Sequence, residues 1–122
     1  MNKLILAITV SLLSLSASAN VYLRSCSNFG DGVSYSYVSC INSNFSQVSR
    51  KLDNLYLSNC QNYGSTVSYS FTSCIDRNLS YVTRELDLFT PFCSNYGDTL
   101  SFSYQSCVNN VFFQIENALN RK

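Results

Sequence analysis

The sequence predicts an all-α fold, a three-helix bundle or a short helical array of three disulfide-stapled repeats. Three observations predict this class. A fifteen-residue frame bounded by cysteines occurs three times, apolar residues at helical spacing follow each frame, and the six cysteines are shared evenly among the frames. The same residues leave one alternative open, a small βα repeat of the α/β class in which a short strand precedes each helix.

The first 19 residues are expected to form a secretory signal peptide. Lys3 gives a positive start, residues 4–15 are mostly apolar, and small residues lead up to Ala19. This apolar run is shorter than the roughly 20 residues that a membrane span requires. We therefore expect one mature domain over residues 20–122 that has no transmembrane segment. Its expected location is the periplasm or the exterior of a bacterial cell.

The mature chain consists of three similar units, residues 26–59, 60–92 and 93–122. Each unit opens with a cysteine, any residue, an asparagine, an aromatic residue and a glycine, and thirteen residues separate its two cysteines. The units begin 34 and then 33 residues apart, which is typical of repeats built from one supersecondary element. We therefore expect the three units to share one local fold, with positive φ at each shared glycine.

The helices are predicted from apolar residues that recur in steps of three and four after each second cysteine. In the three units these residues are Ile41, Phe45, Val48, Leu52 and Leu55; Ile75, Leu79, Val82, Leu86 and Phe89; and Val108, Phe112, Ile115 and Leu119. Asn44 and Asn78 fall within the same apolar face, so they are expected to be buried polar residues. This periodicity predicts one helix in every unit.

The start of each helix is less sharply indicated. The apolar stripe continues backward through Tyr37 and Val33, which favours one helix of about 22 to 25 residues in each unit. Its expected N-caps are the residues after the shared glycines: Asp31, Ser65 and Asp98. The alternation of serine with apolar residues from Val33 to Tyr37 would instead indicate a strand followed by a shorter helix.

All six cysteines are expected to form disulfides, because an even number at regular spacing in an exported chain is typical of them. A metal site would need closely spaced cysteines or histidine partners, and the chain has no histidine. The recurring frame favours pairing within each unit, although pairing between units stays open. The expected pairs are Cys26 with Cys40, Cys60 with Cys74, and Cys93 with Cys107.

The composition argues against an enzyme. Without histidine there is no Ser-His or Cys-His pair, oxidised cysteines offer no thiolate, and no cofactor or metal is implied. Asp53, Glu85 and Asp87 lie beside basic residues, so they are interpreted as solvated helix surface, and a carboxylate-based hydrolase is the least favoured alternative. Apart from Lys3, seven basic residues balance seven acidic ones without a basic run, which makes nucleic acid a poor partner.

The expected function is a non-catalytic module that binds a protein or an envelope component. An inhibitor or immunity-type protein of a secreted enzyme is the alternative. Three aromatic residues are the candidate binding row, because they occupy the same place in the three units and point away from the buried helix face: Tyr35, Tyr69 and Phe102. They could instead fill gaps between units. The aromatic residues before the shared glycines are expected to pack onto their own helices: Phe29, Tyr63 and Tyr96.

Trypsin provides a test of the expected pairing. It cuts after the basic residues, so each expected disulfide lies within one peptide, residues 25–50, 52–77 or 85–121. We expect an unreduced digest to release these peptides separately, each lighter by two hydrogens than the same peptide in a reduced control digest. Mass spectrometric detection of two of them joined together would show that disulfides connect different units.

Overall fold

The computed structural model describes residues 20–89 and 92–121. This part of the chain contains three helices and no strand, so the predicted all-α class is confirmed. The helices are α1, Tyr35–Lys51, α2, Tyr69–Glu85, and α3, Phe102–Arg121. No helix within the described ranges is long and apolar enough to cross a membrane. The expected signal peptide, residues 1–19, lies outside the described residues.

The helices begin later than the sequence predicted. Ser34 precedes α1 in an extended conformation, with φ −76° and ψ 149°, and its hydroxyl accepts a hydrogen bond from the backbone N–H of Tyr37 at 3.2 Å. Ser68 and Ser101 cap α2 and α3 in the same way. The helices therefore have 17, 17 and 20 residues. The expected N-caps Asp31, Ser65 and Asp98 are wrong, because the residues that follow them are not yet helical.

Each helix packs against the extended segment that leads into it, and the first, second and third segments are those that lead up to Cys26, Cys60 and Cys93. The disulfide Cys26–Cys40 joins the first segment to α1, with 5.7 Å between the two Cα atoms. Near it, the Arg24 N–H donates to Asn44 Oδ1 at 2.9 Å, and Asn44 Nδ2 donates to the Arg24 carbonyl at 2.8 Å. The segment therefore runs antiparallel to α1. Disulfides Cys60–Cys74 and Cys93–Cys107 close the other two units.

A helix of another unit holds each of the first two segments from the other side. Asn42 of α1 pairs with both backbone groups of Cys60, at 2.8 and 2.7 Å. Asn109 of α3 pairs with both groups of Cys26, and Asn120 of α3 pairs with both groups of Val21. The first segment is thus antiparallel to α3 as well as to α1. The third unit therefore closes back onto the first, which makes the molecule a bundle rather than an open array.

The core lies between the helices, where equivalent residues of different units meet. The rings of Tyr37 and Phe71 are arranged edge to face with centroids 6.3 Å apart, and those of Phe45 and Phe112 are 5.3 Å apart. In the described part of the chain, the buried hydroxyls of Tyr37 and Tyr104 have no hydrogen-bond partner. Burial raises the pKa of both phenols above its ordinary value. In α2 the equivalent residue is Phe71, which has no hydroxyl.

We expect Tyr37→Phe to raise the free energy of unfolding by about 1 kcal/mol, because it removes a buried unpaired hydroxyl and keeps the ring. Denaturant unfolding would measure the change. Tyr22→Phe is the matched control, since Tyr22 is 73% exposed and its substitution should leave stability unaltered. A comparable loss of stability in Tyr37→Phe would show that the hydroxyl has a partner in the folded protein.

Asn44→Ala is expected to lower the free energy of unfolding by about 2 kcal/mol or more, because it leaves both backbone groups of Arg24 without their partner. Asn44 is fully buried, as the sequence predicted. Asn110→Ala serves as the control, since Asn110 is an exposed residue of α3. Equal stability of the two variants in urea unfolding would contradict the structural role of the Asn44 amide.

Candidate functional site: an aromatic loop face

The N-termini of the three helices lie at one end of the bundle. The second segment runs antiparallel to both α1 and α2, as the first does to α1 and α3, so all three helices are parallel. The loops before the helices therefore form one surface. We call it the loop face and define it as residues 27–36, 61–70 and 94–103.

Neighbouring loops of this face are in contact. The backbone N–H of Val67 donates to the carbonyl of Asp98 at 3.0 Å, which joins the second loop to the third. A Cβ atom on Gly32 would lie only 2.9 Å from the carbonyl oxygen of Ser65, so glycine permits the close approach of the first and second loops. The loop face is therefore a continuous surface.

The asparagine of the shared frame holds each loop in shape. Asn28 Oδ1 accepts from the N–H of Ser34 at 2.7 Å, and its Nδ2 donates to the Gly32 carbonyl at 2.8 Å. Asn62 and Asn95 make the same two bonds in their loops. The shared glycines have a positive φ of 95° to 96°, as predicted, which strains any other residue: Gly30, Gly64 and Gly97. The loops are therefore determined by side-chain hydrogen bonds and by glycine.

The predicted binding row lies on this face. Its members are the first residues of the three helices, and each is 85% to 86% exposed: Tyr35, Tyr69 and Phe102. At this exposure they do not fill gaps in the core. They are placed one on each helix around the end of the bundle, and each lines a different groove of the surface.

A second set of exposed aromatic residues lies on the loop face. These residues precede the shared glycines and are 78% to 84% exposed: Phe29, Tyr63 and Tyr96. The prediction that they pack onto their own helices is wrong. Successive side chains of an extended chain point to opposite sides, and Asn28 points into its loop, so Phe29 points outward. Cys26 and Asn28 stand two positions apart and both point inward. This two-residue alternation is a sequence signal from which the outward direction of Phe29 could have been predicted.

The remaining candidates lie towards the opposite end of the bundle. Aromatic residues four positions before each first cysteine are also exposed, at 73% to 84%: Tyr22, Tyr56 and Phe89. The carboxylates considered for catalysis lie at or just beyond the C-termini of α1 and α2: Asp53, Glu85 and Asp87. The structure does not bring these carboxylates to the loop face.

Small polar residues surround the six exposed rings of the loop face. Its three ranges are rich in serine, glycine and asparagine, contain no basic residue or histidine, and carry two exposed carboxylates, Asp31 and Asp98. Antibody binding surfaces combine the same residue types, because tyrosine gives a large contact area at small entropic cost while serine and asparagine form adaptable hydrogen bonds. The loop face therefore has the residue types that are common in such binding surfaces.

Comparison with known proteins does not assign this arrangement to a family. No protein-family model, curated protein or solved structure matches the chain.

Proposed function

We propose that this protein is an exported, non-catalytic module that binds another protein through its loop face. The observation that supports this most directly is the presence of six exposed aromatic side chains at equivalent positions of three contiguous loops. Aromatic residues are enriched at protein interfaces and dominate their binding energy. A concentration of exposed apolar surface at one end of a small domain is typical of an interaction site.

The rigidity of the loops supports the same proposal. Each loop is bounded by a disulfide, is held from within by its asparagine, and ends at a serine that caps the next helix. A surface that is already ordered loses less conformational entropy on binding, so more of its contact energy appears as affinity. Three disulfides also suit an oxidising compartment, which supports export to the periplasm or the cell exterior.

The negative charge of the loop face indicates which kind of partner protein it would favour. Its only charged side chains are the exposed Asp31 and Asp98. Carboxylates at the rim of an interface favour a partner with basic groups opposite them and disfavour an acidic one. We therefore propose a partner protein whose contact surface is apolar at its centre and neutral or basic around it. A secreted enzyme that this module inhibits would be one such partner.

The test compares two triple variants. The first changes the binding row to serine: Tyr35→Ser, Tyr69→Ser and Phe102→Ser. The control changes exposed aromatics of the opposite end to serine: Tyr22→Ser, Tyr56→Ser and Phe89→Ser. Both should lose less than about 1 kcal/mol of stability per site, because every changed residue is exposed.

We expect the immobilised wild type and the control to retain the same protein from an envelope extract, and the loop-face variant to lose it. With the retained protein purified, the dissociation constant should rise at least tenfold for the loop-face variant alone, about 1.4 kcal/mol. Equal retention by all three proteins would contradict the proposal. A steep fall in melting temperature of the loop-face variant would show instead that these aromatic residues support the fold.

A further inference from the structure

Asp76 occupies a place in α2 that asparagine occupies in the other two helices. Asn42, Asp76 and Asn109 each stand two residues after the second cysteine of their unit. Asn42 and Asn109 each pair, through one side-chain amide, with both backbone groups of the first cysteine of another unit. By the same relation, the cysteine that corresponds to Asp76 is Cys93. Among the described residues, Asp76 makes no hydrogen bond to it.

The segment that leads into α3 also lacks the second amide that holds the other segments. Asn44 and Asn78 pair with the segments that lead into their own helices. In α3 the equivalent residue is Val111, whose side chain cannot form a hydrogen bond. Asp76 and Val111 thus take the places of the two asparagines that hold each of the other segments. Of these two residues, only Asp76 has a side chain that could pair with the third segment.

The protonation state of Asp76 decides whether it can replace an amide. An asparagine side chain offers an acceptor and a donor, which match the N–H and the carbonyl of one residue. A protonated carboxyl offers the same two groups, whereas an ionised carboxylate only accepts. Ionised Asp76 would place a negative oxygen beside the Cys93 carbonyl if it kept the amide geometry. The proton therefore supplies the missing donor.

Asp76 lies in a cavity of about 430 Å³ that Phe92, the residue before Cys93, also lines. The other titratable or charged residues that line this cavity belong to α2: Tyr69, Arg77, Tyr81 and Arg84. Tyr104 of α3 lies near Asp76. Burial is the main cause that raises the pKa of the Tyr104 phenol, and the charge of Asp76 and then Tyr37 of α1 raise it further. Burial raises the pKa of Asp76 itself from 3.8 to about 6.

We propose that Asp76 makes the contact between α2 and the third segment sensitive to pH. When it is protonated, its carboxyl pairs with both backbone groups of Cys93, as the asparagines do with Cys60 and Cys26. When it is ionised, the donor is lost and the contact between α2 and the third segment lacks the pairing that holds the other two segments. Because the third loop of the loop face follows this segment directly, the contact also supports one third of that face.

The direction of the pH effect follows from the pKa of Asp76. The folded state holds the proton more tightly than the unfolded chain, with a pKa of about 6 against 3.8. Protonation therefore favours the folded state. This contribution to stability is complete below about pH 4 and is lost as the pH rises through about 6.

Melting temperatures of the wild type, Asp76→Asn and Asp76→Ala at about pH 4.5 and about pH 7.5 test the proposal. We expect the wild type to melt several degrees lower at the higher pH. Asp76→Asn should lose this decrease and melt above the wild type at about pH 7.5, because its amide pairs at either pH. Asp76→Ala should also lose the decrease, but it should melt below Asp76→Asn because it restores no hydrogen bond. An unchanged decrease in Asp76→Asn, or equal melting of the two variants, would overturn the proposal.

Backbone amide chemical shifts of the unaltered protein give a second, local measurement. We expect the Cys93 amide resonance to titrate with the Asp76 carboxyl, near pH 6. The amides of Cys26 and Cys60 are internal controls, because asparagine holds them and they should not follow this titration. A Cys93 resonance that stays constant while the Asp76 carboxyl titrates would show that the carboxyl does not pair with that backbone.

Discussion

Side-chain amides of the helices pair with the backbone of the extended segments, and the arrangement of the bundle depends on this pairing. A segment outside a sheet leaves its N–H and carbonyl groups without partners, and such groups are costly when they are buried. Asn44 and Asn109 supply a donor and an acceptor to successive parts of the first segment from two different helices. The helices thus supply to that segment the hydrogen-bond partners that neighbouring strands supply in a sheet, and no strand is needed in the described part of the chain.

The parallel arrangement of the helices is a consequence of these segments. Short connections in helical bundles usually place consecutive helices antiparallel. Here the chain between α1 and α2, and between α2 and α3, returns to the end at which the previous helix began, and a disulfide joins each of the three segments to the helix that follows it. Three N-termini and three loops therefore meet at one end, where six exposed aromatic residues are brought together. The candidate site is thus a product of the chain path as much as of the residues themselves.

The three units differ at the contact between the second and the third. Asp76 and Val111 stand where asparagine stands in the other units, and Phe92 stands where Asn59 and Ser25 precede the other first cysteines. Asparagine pairing holds the first and second segments, so the third segment is the one whose contact depends on a different side chain. The proposed binding surface includes the loop of this third unit. The proposed pH effect would therefore act on a part of the protein that also takes part in the proposed binding.

From the sequence alone it was possible to predict the helical class, most of the buried face of each helix, the pairing of the cysteines within units and the positive φ of the glycines, since each depends on residues close in the chain, although a strand and pairing between units stayed open. Phe89, which was assigned to the buried face of the second helix, lies beyond the end of α2 and is 84% exposed. The sequence did not determine where the helices begin, because Val33 reaches the core from an extended chain as readily as from a helix. It placed Phe29 wrongly, because that required knowing that Asn28 points into its loop. Closure of the third unit on the first depends on Asn109 and Cys26, which are 83 residues apart. Only the tertiary structure decides such a contact, because no local pattern of residues specifies which distant backbone a buried amide will meet.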